Sequence, residues 1–252
     1  MLPSFESHNQ SHQHSLATLE VLDEFTSFME SIDTVVDMGC GHGNDVFWWA
    51  TRRDPEPPHV PRNYNVIGVD KQISRQNPNL ANCSNVEIKV ADFETVDLPA
   101  GTVDVLWCHN SFHFAKNPLA TLQHWNSLVS DGGFIYLCLP YTANRHYNQF
   151  SGKSQSHSFF HYMPSNTVYM LACAGFDLSD SRFVKFDGDV FFHIAGYKDT
   201  SEVDYNLTWY ELAETGRLPS SLCSTIQRKG YVDDYELVGE WFNGSRCSFD
   251  KQ

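Results

Sequence analysis

The chain has 252 residues, 41% of them hydrophobic and 14% aromatic, and carries 17 Lys and Arg against 31 Asp and Glu for a net charge of −14. That length can bury a proper core in one large domain, or in a domain with an appendage. The acidity excludes a surface that broadly attracts nucleic acid, whose binding draws on basic neutralisation of phosphates, and no run approaches the ~18 apolar residues of a membrane span.

In chain order, residues 1–14 are polar and lack the basic and apolar regions of a secretory leader, so a cytoplasmic protein is expected. The seven cysteines form no Cys-x-x-Cys pair, and several fall in apparent strands, as reduced buried thiols do. His8, His12 and His14 lack an acidic or Cys partner, so no metal site is expected there. Apolar residues at 16, 19, 22, 25, 28 and 29 follow helical spacing and predict an amphipathic helix to about Ser31. The run TVVDM at 34–38 reads as a strand, Gly39-Cys40-Gly41-His42-Gly43 as a turn, and Asp45 to about Arg53 as a helix.

A four-proline loop then leads to strands at 65–70, 86–92, 103–108 and 133–140. A helix over 118–129 precedes a Gly-Gly stop at 132 and 133, and a second helix over 165–174 stops at Gly175. Strands alternating with helices predict a parallel sheet covered on both faces. Two strands around Asp187-Gly188 finish it with an antiparallel hairpin. Residues 141–162 break the rhythm. Weaker helical patterns near 202–215, 220–229 and 233–242 form a C-terminal extension. The expected division is a tail and lid helix over 1–32, a core over 33–200 with an insertion at about 141–162, and a helical extension over 201–252.

Glycines permit positive φ and close approach, and the following helix start offers unpaired N–H groups, so a small ligand at the turn is expected. The spacing argues against a dinucleotide, because Asn44 stands where the Gly-x-Gly-x-x-Gly fingerprint requires its third glycine. Ligands of open parallel sheets lie beyond the carboxyl ends of the strands, and Asp37, Asp70 and Asp92 close three strands. One nucleoside ligand suits all three. Asp37 would hold the turn and an ammonium, Asp70 two ribose hydroxyls, and Asp92 with Phe93 the amino group and face of an adenine. Singly, each acid is also explained by holding a turn, capping a helix or solvating a loop.

From about Thr34 to Tyr197 the chain resembles the class I S-adenosylmethionine-dependent methyltransferases. VVDMGCGHG resembles their glycine motif, Asp70 the acid after the second strand, Asp92-Phe93 the adenine-side pair, and VDVLWCHNSFHF the fourth strand with its following segment. The resemblance implies a Rossmann-like, seven-stranded, mostly parallel sheet with a C-terminal antiparallel hairpin, helices on both faces, and S-adenosylmethionine as cofactor. It assigns Asp37, Gly39, Cys40, Gly41, Asp70, Lys71, Asp92, Phe93 and His109 to the cofactor, and it places the segment after the fourth strand beside the sulfonium. Ser130-Asp131-Gly132-Gly133 stands where Lys-Pro-Gly-Gly is common, and the Asn/Asp-Pro-Pro-Tyr signature of base-methylating enzymes is replaced by Cys108-His109-Asn110-Ser111.

His113 is the candidate general base, with orienting substrate or core packing as its other readings. A zinc site from His109 and His113 has no further ligands, so none is expected. His42 reads as a solvent-facing filler, and Trp48, Trp49 and Trp107 as core or wall. The expected function is methyl transfer to a small-molecule acceptor, with no nucleic-acid or membrane partner. The alternatives are a non-catalytic cofactor-binding adaptor working through the C-terminal extension, and a protein methyltransferase. Aminopropyl transfer would need an amine-binding acid after the fourth strand, and only Asp104, within it, is near.

Overall fold

The computed structural model of the chain describes residues 31–53, 61–72, 76–140, 162–179, 184–187, 191–200 and 206–232. The expected N-terminal helix, the insertion up to residue 161 and the pattern at 233–242 lie outside these residues. Strands β1 (Thr34–Met38), β2 (Asn65–Asp70), β3 (Val86–Val90), β4 (Val103–His109) and β5 (Val129–Pro140) run parallel, in the spatial order β3-β2-β1-β4-β5. Strand β8 (Phe191–Lys198) joins β5 antiparallel. Beyond it, β6 (Phe176–Asp177) pairs with Lys198 and Tyr197, and β7 (Val184–Asp187) with Ile194 to Phe191. The two short pieces together occupy one strand position, so the sheet has seven. The expected hairpin is therefore present, and its outer strand is interrupted.

Side chains alternate between faces along each strand, so period-two apolar runs fill two cores. Val36, Met38, Leu106, Cys108, Ile135, Leu137 and Leu139 face one side, which is covered by α2 (Pro118–Leu128), α3 (Pro164–Cys173), α4 (Trp209–Glu214) and α5 (Ser220–Lys229). Val35, Val105, Trp107, Phe134, Tyr136 and Cys138 face the other with α1 (Asn44–Ala50), whose Val46, Phe47 and Trp49 are buried. Each such apolar side chain contributes about 1.5–3 kcal/mol. Trp49 and Trp107 lie in this core and Trp48 is half-buried against it, as expected of wall residues. The six described cysteines are free thiols, four of them buried.

The order reverses at β1, whose neighbours are β2 on one side and β4 on the other; such a switch point leaves a crevice at the carboxyl tips. One boundary differs from the sequence reading. Strand β5 begins at Val129, already paired with Val103, before the glycines at 132 and 133. The ladder then skips from Val103 opposite Val129 to Val105 opposite Phe134, so Ser130 to Gly133 form an excursion within the strand. Asp104 holds this end together. One carboxylate oxygen accepts the Asp33 and Thr34 N–H groups (2.8 and 2.9 Å) and the other the Ser130 hydroxyl (2.8 Å). Asp104 thus ties the starting ends of β1, β4 and β5 and is spent on structure, which removes it as an amine-binding acid.

Replacing Asp104 with Ala leaves two backbone donors without their acceptor, and we expect a loss of about 2 kcal/mol, a fall in Tm of about 4–8 °C. Asp104→Asn, which keeps one carbonyl acceptor, should lose less. Thermal unfolding of the two variants checks the order.

Candidate functional site

The glycine turn is pulled across the tip of β2. The Gly39 and Cys40 N–H groups both donate to the Val69 carbonyl (2.8 and 3.0 Å), and the Gly41 N–H donates to Asp70 Oδ2 (2.9 Å). All three glycines have positive φ, for different reasons. A Cβ on Gly39 would meet Ser111 at 2.4 Å and one on Gly43 would meet Leu80 at 2.7 Å, whereas Gly41 faces open space. At two of the three positions it is therefore the protein's own side chains that exclude a Cβ, and Gly41 alone offers an open cradle. His42 is exposed, as expected.

The predicted residues form a connected circuit around this turn. Asp70 also accepts the Gln72 N–H (3.0 Å), which leaves lone pairs on both oxygens for a ligand. Next to it, Lys71 pairs with Asp92 (2.9 Å) and lies 5.8 Å above the Phe93 ring. Phe93 is buried edge-on against Trp125 and approaches the Gly39 position. Cys40 turns inward over Gly68; burial, with the charges of Asp37 and Asp70, keeps its thiol protonated. Burial, the largest single influence, raises the Asp92 carboxyl, but the hydrogen bonds from Lys71 and the Glu94 N–H, with the charges of Lys71 and Lys116, together outweigh it and lower it.

Asp37, at the end of β1, is 2% exposed. Burial, then the charges of Asp45 and Asp70, drive its carboxyl well above the usual range against the opposing charge of His109. A desolvated acid among acids is a site with an unmet demand for positive charge. His109, the last residue of β4, has Nδ1 3.1 Å from the Asp45 carboxylate.

The segment after β4 is clamped by a residue that the sequence reading missed. Ser111 donates its hydroxyl proton to the Met38 carbonyl (2.6 Å), so the Cys108 thiol 3.0 Å away donates to Ser111. Burial pushes that thiol up to about 12. No periodicity marks Ser111, and only its place just past a strand tip hinted at a role. His113 sits in the 3-10 turn Phe112–Phe114, 5% exposed, its ring centroid 4.1 Å from that of Phe114. Asp45, the first-turn acid of α1, was read only as helix and also receives the Trp107 indole N–H (3.1 Å). Among the described residues, no group of three His, Cys, Asp or Glu is disposed to hold a metal ion, and no helix is long and apolar enough to cross a membrane.

Residues 36–137 match a family profile described as a methyltransferase domain. No curated protein sequence matches significantly. The fold is similar to that of the YcgJ protein of Bacillus subtilis, at 14% identity and TM-score 0.55 over 75% of this chain and all of that one. It is similar to geranyl diphosphate C-methyltransferase from Streptomyces coelicolor, solved with Mg2+, geranyl diphosphate and S-adenosyl-L-homocysteine (12% identity, TM-score 0.53, 73% of this chain and 80% of that one). A third structure is Haemonchus contortus phosphoethanolamine N-methyltransferase 2 with phosphomonomethylethanolamine and S-adenosylhomocysteine (13%, TM-score 0.52, 72% of this chain and 52% of that one).

Because native Asp37 keeps its proton to a higher pH than the unfolded chain does, stability falls as pH rises from the unfolded value through the native one. Asp37→Asn removes that cost, and we expect the unliganded variant to melt about 2–4 °C above the parent at neutral pH, equivalent to ~1 kcal/mol. The gap should close as pH is lowered below the native Asp37 value. Paired thermal scans across pH measure it.

Proposed function

We propose that the chain, whose residues 36–137 match a methyltransferase domain, is a class I S-adenosylmethionine-dependent methyltransferase that transfers the methyl group to a small-molecule acceptor. The observation that supports the cofactor assignment is the circuit of Gly41, Asp70, Lys71 and Asp92, with buried Asp37 beside it, around a turn whose central glycine is open. Asp37 holds the amino-acid ammonium, which supplies the positive charge its buried carboxyl lacks. Asp70, oriented by the Gly41 and Gln72 N–H groups, accepts the ribose hydroxyls. Phe93 backs the adenine, and Asp92 accepts its amino group once Lys71 swings aside. That swing costs little, since Lys71 is 46% exposed and exposed ion pairs contribute about 0–1 kcal/mol.

S-adenosylmethionine supplies a methyl group already activated on sulfur, so the protein has mainly to position, desolvate and, for a protonated acceptor, take up a proton. His113 is the group for that last task, close after the β4 tip in the segment that Ser111 clamps to β1. A small acceptor is favoured by the net charge of −14, which repels polyanions. The names of two of the similar structures, which refer to a geranyl diphosphate and a phosphoethanolamine enzyme, point the same way.

Calorimetry with S-adenosylhomocysteine, then a methyl-transfer screen over pooled metabolites, tests the proposal. Asp70→Ala should weaken binding about 30-fold, roughly 2 kcal/mol for acceptors lost from a charged group. An unchanged affinity refutes the ribose assignment. His113→Ala should lower turnover about 100-fold and leave affinity within about threefold; an equal loss of both makes it a binding residue. Binding without turnover on any acceptor class would point to the adaptor.

A further inference from the structure

The mechanism above uses neither Asp45 nor Cys138 nor His193, yet the fold sets them in one buried row with His109. The row crosses three strands in register, His109 on β4 beside Cys138 on β5, and Cys138 beside His193 on β8. Cys138 and His193 are fully buried, and the His109 side chain is 9% exposed. At one end Asp45 receives His109 Nδ1 and the Trp107 indole, both at 3.1 Å. At the other, the Tyr136 hydroxyl and His193 Nδ1 are hydrogen-bonded, while Cys138 stands in register between the two histidines. Trp107 and Tyr136 stack one residue pair earlier on the same face, with centroids 4.0 Å apart.

This face is otherwise an apolar core of Val35, Val105, Phe134 and Ala195. Burying a line of polar groups there costs free energy that apolar side chains would not, so packing alone is a poor reason for it. The row reaches the glycine turn at Asp45. Asp45 stands in the first turn of α1, directly after the glycine turn, and its carboxylate and the His109 imidazole act in opposite directions on Asp37.

We infer that Asp45, His109, Cys138 and His193 form a positioning relay, which locks the tip of β4 to the helix behind the glycine turn and so sets cofactor affinity from residues that include two strands remote from the turn. Burial pushes the His109 imidazole down, but the charges of Cys138 and of Asp45, 3.1 Å from Nδ1, hold it well above its ordinary value. Burial pushes the Cys138 thiol up, and His109 and His193 bring it down to about 6. Charge on the His109 imidazole and on the Cys138 sulfur therefore favour each other. The other titratable groups around it are Asp37 on β1, Asp70 and Cys40 at the turn, and Tyr136 on β5.

The relay rests on the cofactor assignment of the same turn, and two variants and one spectrum test it. Asp45→Asn should raise the S-adenosylhomocysteine Kd about tenfold and the near-isosteric Cys138→Ser about threefold, the range expected for residues acting through a contact network. Unliganded parent protein should gain far-ultraviolet thiolate absorbance in a step near pH 6, and Cys138→Ser should lack that step. A row that is only structural would lower Tm in both variants and leave Kd unchanged, and that result, or a missing step in the parent, overturns the relay alone. Parent protein that binds no S-adenosylhomocysteine overturns the cofactor assignment and the relay with it.

Discussion

The site depends on where the backbone goes after Asp37. Two successive N–H groups of the turn share the Val69 carbonyl, and the next donates to the Asp70 carboxylate, so the loop leaving β1 is bound to the tip of β2 before any ligand arrives. Those bonds require three residues at positive φ in alternation, which L side chains adopt only at a cost. They also bring Asp37, Asp70 and the start of α1 together. Every later feature of the site, from the Lys71–Asp92 pair to the row behind the turn, is arranged around that fixed loop.

A second constraint is electrostatic. Three acids, Asp37, Asp45 and Asp70, act on one another at the turn, and the fold meets the resulting repulsion in two ways. His109 is held beside Asp45 as a resident cation, while Asp37 is left with its proton until something positive replaces it. A cofactor carrying an ammonium and a sulfonium suits that state, and an anionic one does not. This agrees with the glycine spacing, which argues against a dinucleotide.

Much of this was legible in the amino-acid order because local rules wrote it. Strands showed as β-branched runs ending in Asp, and the parallel sheet showed as alternation of strand and helix. The glycine turn as a whole read as room for a ligand, and the structure adds that Ser111 and Leu80 occupy the space a Cβ would take at Gly39 and Gly43. Close approach is visible from a glycine, but the identity of the neighbour is not, since Ser111 arrives from across a crossover far along the chain. The start of β5 was misplaced for a similar reason. Gly132 and Gly133 read as a boundary, but Ser130 bonded to Asp104 keeps the chain beside β4 through the excursion.

The order of residues alone determined the strands, the doubly covered sheet, the glycine turn and the acids at the strand tips, because period-two burial and turn chemistry act over a few neighbours. Tertiary structure alone decided that Asp45 faces His109, that His109, Cys138 and His193 line up across three strands, and that Asp104 is spent on structure. Those facts are matters of register between segments distant in the chain. Register is set by the packing of whole faces, and no short window of sequence contains it.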